Sequence, residues 1–366
     1  MTKLHELSQL GQAVWLDFIR RSFISSGELQ GLLDAGIRGI TSNPTIFEKA
    51  IAGSDDYDIQ MEQLVAEGRS VDQIYEALAI NDIAQAADML RSLYDTTGGT
   101  DGFVSLEVSP TLAHDTAGTI ADAKRLFTVL NRPNIMIKIP GTPAGVPAIT
   151  EAIAAGVNVN VTLLFSLEQY EAIANAYIAG LERRVAAGQE IKQIASVASF
   201  FVSRVDTAVD KLLDAQGRSD LVGKAAIANA KLAYVRFKEL FSGPRWDKLA
   251  AKGAQLQRPL WASTGTKDAR FSDTLYVDTL IGPATVNTMP PATIEAFMDH
   301  GTVKSTVEDG IDEARRHLEQ LAALNIDMAA ITHKLQVDGV DSFAKSFEAL
   351  MQSVSDKREA TMRVGK

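Results

Sequence analysis

Cysteine is absent from the 366 residues. That excludes a disulfide framework, a thiolate nucleophile and a thiolate metal site. Long apolar runs are missing too. None reaches the roughly 18 residues that a spanning helix needs, and residues 1–12 carry Lys3, His5 and Glu6 where a signal peptide would have an apolar core. Positive charge is in deficit: Lys and Arg number 36 against 46 Asp and Glu, for a net charge of −10. This argues against a basic face for nucleic acid, but a few local cations suffice for a small anion. No phosphate-cradling G-x-x-x-x-G-K-[ST] and no strand-linked G-x-G-x-x-G occurs, so no nucleotide cofactor is expected. His5, His114, His300, His317 and His333 lack metal-ligand spacing and read as solvated or capping side chains. Asp55, Asp56 and Asp58 do not complete a calcium loop. The expectation is a cytoplasmic enzyme-sized protein with no cofactor, metal, nucleic acid or membrane partner.

Hydrophobic residues make up 46% and charged residues 22%, as in an ordinary globular protein. Eight short β-rich runs alternate with helical patterns: residues 13–18, 36–41, 103–108, 134–139, 157–164, 194–202, 259–263 and 284–288. Between them the spacing predicts helix over about 45–94, 111–130, 147–155, 166–187, 205–213 and 220–240. Ser166 with Gln169 reads as a capping box. From about Pro291 the chain is mostly helical, with breaks near Gly301 and Gly339. Alternation of this kind implies parallel pairing through crossovers. Eight units suggest a single (β/α)8 TIM barrel with additional helices; an open doubly wound sheet is the rival. No linker-like tract appears, so residues 1–366 are expected to form one domain. Trp261 and the Phe200–Phe201 pair read as core, and Arg20–Arg21 as a surface pair.

Buried parallel strands should be nearly continuous apolar runs. Here polar residues break the runs on one face. Asn158, Asn160 and Thr162 alternate with Val157, Val159 and Val161. Lys138 falls opposite Ile135, Ile137 and Ile139, Glu107 and Ser105 opposite Leu106 and Val104, Asp17 opposite Leu16, and Ser263 opposite Ala262. Most lie toward the C-terminal end of their strand, where barrel enzymes carry their chemistry. Burying so many polar and charged groups is costly unless they share a hydrated pocket. Lys138 stands out, because lysine is almost never buried unpaired. Either it pairs with a neighbouring carboxylate, or it is a desolvated amine able to form a Schiff base with a carbonyl substrate. The second chemistry needs proton donors and acceptors, and Glu107 and Asp17 are the available carboxylates.

Gly39-Ile40-Thr41-Ser42-Asn43-Pro44-Thr45-Ile46-Phe47 resembles the first transaldolase signature. Ile135-Met136-Ile137-Lys138-Ile139-Pro140-Gly141-Thr142-Pro143-Ala144-Gly145 resembles the second, which carries the Schiff-base lysine. Asn158-Val159-Asn160-Val161-Thr162-Leu163-Leu164-Phe165-Ser166 is similar to the family's fifth-strand motif. The likeness spans about Trp15 to Asn287, and Trp261–Lys267 suggests the longer bacterial branch. It implies a metal-free transferase of the pentose phosphate pathway. The enzyme would move a dihydroxyacetone unit from sedoheptulose 7-phosphate to glyceraldehyde 3-phosphate, giving erythrose 4-phosphate and fructose 6-phosphate. The resemblance assigns Lys138 as the Schiff-base lysine, Glu107 to proton transfers through water, Asp17 to the substrate's C4 hydroxyl and Thr162 to the catalytic water. It assigns Asn43, Asn160, Ser199 and Phe201 to the substrate pocket, and Arg204 and Ser263 to the phosphate. Shorter relatives carry a second phosphate-binding arginine soon after the serine. Here Lys267 is the nearest cation, with a solvated loop lysine as the other reading.

The partners implied are sugar phosphates, and a monomer or a homodimer would both fit. Two alternatives remain beside the transferase: a Schiff-base aldolase that releases free dihydroxyacetone, and a non-catalytic sugar-phosphate binding protein. The latter would be expected to lack at least one of Lys138, Glu107 and Asp17, and all three are present.

Overall fold

A computed structural model describes residues 1–364. Eight parallel strands follow one another around a closed barrel in chain order. They are β1 (Gln12–Leu16), β2 (Gly39–Ile40), β3 (Phe103–Glu107), β4 (Ile135–Pro140), β5 (Val159–Leu164), β6 (Ser196–Phe201), β7 (Arg258–Ala262) and β8 (Thr285–Met289). β8 closes the ring by pairing with β1 from Gln12–Thr285 to Leu16–Met289. The doubly wound alternative is thereby excluded. All eight expected strands are present, and β2 is the most shortened. Gly36 holds φ at 116°, a left-handed turn that keeps the chain out of the sheet until Gly39.

Period-two alternation sets which side chains face the lumen. Val104, Leu106, Ile135, Ile137, Val159 and Val161 join the apolar layer beneath the helices. Glu107 pairs in register with Lys138, and Lys138 with Asn160, so these three residues share one level of the lumen. One level up, Pro140 pairs with Thr162. At the floor, Trp15 lies beside Gly39 in register, and Gly39 beside Phe103. A Cβ on Gly39 would come within 2.6 Å of the Trp15 ring, so this position takes no side chain.

The helices account for the length beyond a minimal barrel. α1 (Lys3–Gln9) precedes β1; α2 (Arg21–Ser25) and α3 (Glu28–Ala35) join it to β2. The expected single helical region over 45–94 is four helices: α4 (Pro44–Ala52), α5 (Asp58–Ala66), α6 (Val71–Met89) and α7 (Arg91–Thr96). Ser70 and Gln73 form a capping box that starts α6 afresh. After β3 a 3-10 turn (Pro110–Leu112) precedes α8 (Thr116–Leu130), which starts later than expected because Asp115 caps it. α9 (Gly145–Ala154) and α10 (Leu167–Ala186) follow β4 and β5, and the Ser166–Gln169 capping box is present. α11 (Ser203–Ala215), α12 (Ala225–Leu240) and α13 (Pro244–Ala250) follow β6, and α14 (Leu275–Asp278) follows β7.

The last three are α15 (Pro291–His300), α16 (Ile311–Ala323) and α17 (Met328–Val364). Gly301 ends α15 as expected, but Gly339 does not interrupt α17. A Cβ there would sit 2.9 Å from Leu163 Cδ2 and 3.7 Å from Arg204 Nη1. The glycine lets the helix lie close over the barrel, at a helix-propensity cost of about 1 kcal/mol. Arg20 and Arg21 are not a simple surface pair. Arg21 donates from Nε to the fully buried Asp82 at 2.9 Å, and Arg20 to Asp56 at 2.7 Å, binding α2 to the α4–α6 insertion. His317 is buried and not solvated. Among the described residues no helix is long and apolar enough to cross a membrane.

Candidate active site

Lys138 extends from β4 into the lumen and is 4% exposed. Its Nζ donates to the Ser42 carbonyl at 2.8 Å and lies 3.3 Å from Glu107 Oε2. That contact lacks hydrogen-bond geometry, and neither oxygen of Glu107 has a hydrogen-bond partner. Burial pushes the Glu107 carboxyl above its ordinary range, the Lys138 charge pulls it back, and Asp17 raises it again. Asp17 lies one residue beyond β1. Burial raises its carboxyl as well, against the Lys138 charge and the Thr41 hydroxyl, which donates to Oδ1 at 2.7 Å. Two carboxyls that hold protons more tightly than usual therefore flank one amine. Such a set places a proton donor and a proton acceptor beside the amine.

Amides and hydroxyls complete this level. Asn160 Nδ2 donates to Ser105 Oγ at 3.1 Å, and Asn160 Oδ1 accepts from Ser199 Oγ at 2.7 Å. The chain Ser105–Asn160–Ser199 thus spans three strands and fixes the Asn160 amide. Thr162 Oγ1 is buried without a hydrogen-bond partner and is available to a ligand or a water. Asn43 caps α4 by accepting from Ile46 N at 3.0 Å through Oδ1. This leaves its Nδ2 to act as a donor. Asn43 and Glu107 both line a cleft of about 590 Å³ that runs out between α6 and α8 toward Arg125. Lys138, Asp17, Asn160 and Arg204 do not line this cleft, so it adjoins the lumen site and does not contain it.

Phe201 closes β6 and packs on Phe165 with ring centroids 5.2 Å apart. Arg204, in the first turn of α11, holds its guanidinium 5.2 Å from the Phe201 ring centroid. Burial lowers its affinity for a proton. Among the described residues it forms no ion pair and no side-chain hydrogen bond, so its fork remains open to an anion. Ser263 lies just past β7 with φ at 57°, a left-handed backbone for a non-glycine residue. Its Oγ is 3.0 Å from Ser203 Oγ at the start of α11, and Ser203 N donates to the Ser263 carbonyl at 3.1 Å. Arg204 and Ser263 are thereby held at the same corner. Lys267 is exposed on the loop after β7 and is not drawn into this corner by any ion pair or side-chain hydrogen bond among the described residues.

The structure therefore brings Lys138, Glu107, Asp17, Asn160, Thr162 and Ser199 into one lumen. It places Asn43 at its edge and Phe201, Arg204 and Ser263 on one side. Three contributors escaped the reading of strand periodicity. Thr41 orients Asp17, and its short strand hid its facing. Ser42 accepts a hydrogen bond from Lys138 through its backbone carbonyl, which no side-chain pattern can reveal. Phe343 on α17 lies over the amine, its ring centroid 5.8 Å from Nζ, and it is distant in sequence from every strand.

Comparison with known proteins adds a direct finding. The family model described as transaldolase/fructose-6-phosphate aldolase matches residues 14–354. A transaldolase of Thermobifida fusca is 50% identical over 362 residues, covering 98% of each chain. Transaldolase 2 of a Nostoc species is 49% identical over 369 residues, covering 97% of each chain. A transaldolase of Saccharopolyspora erythraea is 50% identical over 359 residues, covering 97% of this chain and 98% of its own. With a matching family model over nearly its whole length and relatives this similar, the chain belongs to the transaldolase/fructose-6-phosphate aldolase family.

Proposed function

We propose that this protein is a transaldolase that transfers a dihydroxyacetone unit from sedoheptulose 7-phosphate to glyceraldehyde 3-phosphate, yielding erythrose 4-phosphate and fructose 6-phosphate. The observation that carries the residue roles is the buried Lys138, 4% exposed and 3.3 Å from a carboxylate that is otherwise unpartnered. In this reading the Lys138 amine attacks the ketone carbon. Glu107, working through water positioned by Thr162, supplies the proton that lets hydroxide leave as water, and an imine forms. Asp17 takes the proton from the C4 hydroxyl, the carbon–carbon bond breaks and the aldehyde departs. The three-carbon unit stays on Lys138 as an enamine. Asn160, locked by Ser105 and Ser199, and Asn43, through its free Nδ2, hold its hydroxyls. The acceptor aldehyde then forms the new carbon–carbon bond, and hydrolysis frees the product.

Arg204 and Ser263 would receive the phosphate, with Phe201 as the wall beneath the guanidinium. Lys267 would be a second, more mobile cation for the same group. The chain acts as one domain in this account, and it works in the cytoplasm where phosphorylated sugars are made. The direct test supplies fructose 6-phosphate and erythrose 4-phosphate together and follows both products. Formation of sedoheptulose 7-phosphate with equal glyceraldehyde 3-phosphate is expected. Free dihydroxyacetone in place of sedoheptulose 7-phosphate would favour the aldolase alternative. No turnover with bound sugar phosphate would favour the binding protein.

A further inference from the structure

We propose that Phe343 on α17 is a specificity-determining residue that keeps water from the three-carbon unit bound to Lys138. It would thereby set the balance between transfer to an aldehyde and release of free dihydroxyacetone. This inference rests on the transaldolase reading above.

The surroundings of the amine are polar on the strand side: the Ser42 carbonyl, Glu107, and Asn160 at the same register level. Phe343 supplies an apolar cover. Its ring centroid lies 5.8 Å from Lys138 Nζ, and its side chain is 6% exposed. The ring comes from a helix that is fastened in place along its length. Gln336 Nε2 donates to the Gly141 carbonyl at 2.9 Å and to the Leu163 carbonyl at 3.1 Å, at the mouth ends of β4 and β5. Gly339 lets the next turn settle against Leu163, where a Cβ would meet Cδ2 at 2.9 Å. Beyond Phe343, Ser346 accepts from Thr45 at 2.8 Å, and the Phe347 ring packs edge-on against Tyr75 with centroids 5.5 Å apart. Lys357 then donates to the Ser54 carbonyl at 2.6 Å and to Asp58 at 2.9 Å. The cover is thus held from both sides of the residue that forms it.

The chemistry gives this placement its consequence. Once the aldehyde has left, the enamine carbon can take either of two partners. Attack on an acceptor aldehyde forms a carbon–carbon bond, and the new alkoxide takes a proton. Protonation by water or by Glu107 forms a carbon–hydrogen bond instead and leaves an iminium. Water then adds to the iminium carbon, the carbon–nitrogen bond breaks, and dihydroxyacetone departs with Lys138 restored as the amine. Both courses end in hydrolysis of an iminium, so the step that separates them is protonation of the enamine carbon, and protonation by water needs water at the covered face. An aromatic ring there excludes it, and at this distance the ring face also favours the positively charged iminium nitrogen.

The test compares the intact chain with Phe343→Ala, Phe343→Val and Phe343→Leu. Release is measured as free dihydroxyacetone from fructose 6-phosphate alone. Transfer is measured as sedoheptulose 7-phosphate when erythrose 4-phosphate is added. A purely structural loss lowers both rates together and leaves their ratio unmoved. Phe343→Ala is expected to raise release relative to transfer on the order of tenfold. Phe343→Leu, which keeps an apolar cover, should leave the ratio within about twofold. Phe343→Val, a smaller cavity, serves if the alanine variant does not fold, and its ratio should also rise. An unchanged ratio in the folded Ala or Val variant overturns the proposal. So does a rise in the Leu variant as large as that in the Ala variant, because the ring face and not the cover would then be at work. Borohydride trapping of each protein with fructose 6-phosphate separates the two levels of the argument. No adduct in the intact chain refutes the transaldolase reading itself. Adducts in every variant with unchanged ratios refute only the role of Phe343.

Discussion

At the floor of the barrel Asp101 meets Arg38 at 2.6 Å and Arg258 at 3.0 Å, and Arg258 also donates to the Thr100 carbonyl at 2.6 Å. Asn158, at the same end, donates to the Pro133 and Ile135 carbonyls and accepts from Ala195 N. At the mouth the pattern reverses. Both Glu107 oxygens and the Thr162 hydroxyl are buried without hydrogen-bond partners, and Arg204 has no carboxylate among the described residues. The charged groups of the floor are therefore paired and hydrogen-bonded, whereas Glu107 at the mouth has no hydrogen-bond partner and Arg204 no carboxylate among the described residues; open buried neutral atoms occur at the floor too, on Gln12, Asn134 and Gln257. Satisfied groups stabilise the fold, whereas buried open groups cost stability and are kept where a ligand can complete them. The floor is structural in this account and the mouth is chemical.

The comparison can be broken by substituting at each end. Lys138→Ala should remove covalent catalysis altogether and lower transfer by about 10⁴-fold or more, with an intact circular dichroism spectrum. Near-normal turnover would remove the lysine from the mechanism. Glu107→Gln or Asp17→Asn should slow turnover by roughly 10²–10⁴-fold. Thermal unfolding of these variants should be unchanged or shifted upward, because a buried carboxylate is relieved. A large fall in Tm would place that carboxylate with the structural groups.

The floor should respond the opposite way. Asp101→Asn leaves two arginines short of their shared partner. After allowance for their partial exposure it should cost about 2 kcal/mol of stability. Steady-state activity at permissive temperature should hardly change. A loss of activity without a loss of stability would erase the distinction between the two ends.

A pH-dependent effect concerns Asp206, behind the phosphate corner. It accepts from Ala226 N at 2.7 Å and from the Tyr276 hydroxyl at 2.9 Å. Burial pushes its carboxyl up from 3.8 to about 7. The folded state thus binds this proton more tightly than the unfolded chain. The resulting stability is complete below the unfolded value and is lost as pH rises toward 7. Denaturant titrations between pH 4 and pH 8 should show this decline in the parent and a flatter profile in Asp206→Asn. Parallel profiles would contradict it.

Much of this was legible in the residues. Eight strands could be counted because β-rich runs alternate with helical patterns, and the lumen face could be read because side chains alternate along a strand. Lys138, Glu107 and Asn160 fall on the lumen face through that period alone, and the strand register then puts them on one level. What could not be read depends on separation in sequence. Gly339 looked like a break because glycine disfavours helix, yet it is there for close packing against Leu163. Phe343 gave no signal, since nothing in its neighbourhood marks it as the cover of a strand residue. Asp17 and Ser263 lie one residue beyond their strands; for Ser263 a left-handed turn sets its direction.

The central claim is that the buried amine at the mouth is the nucleophile. The most direct measurement is borohydride trapping with fructose 6-phosphate, read by mass spectrometry of the peptides. A reduced three-carbon adduct on the Lys138 peptide, lost when erythrose 4-phosphate is added before the borohydride, is the predicted result. No adduct on Lys138 in folded protein that binds the sugar phosphate would contradict the account.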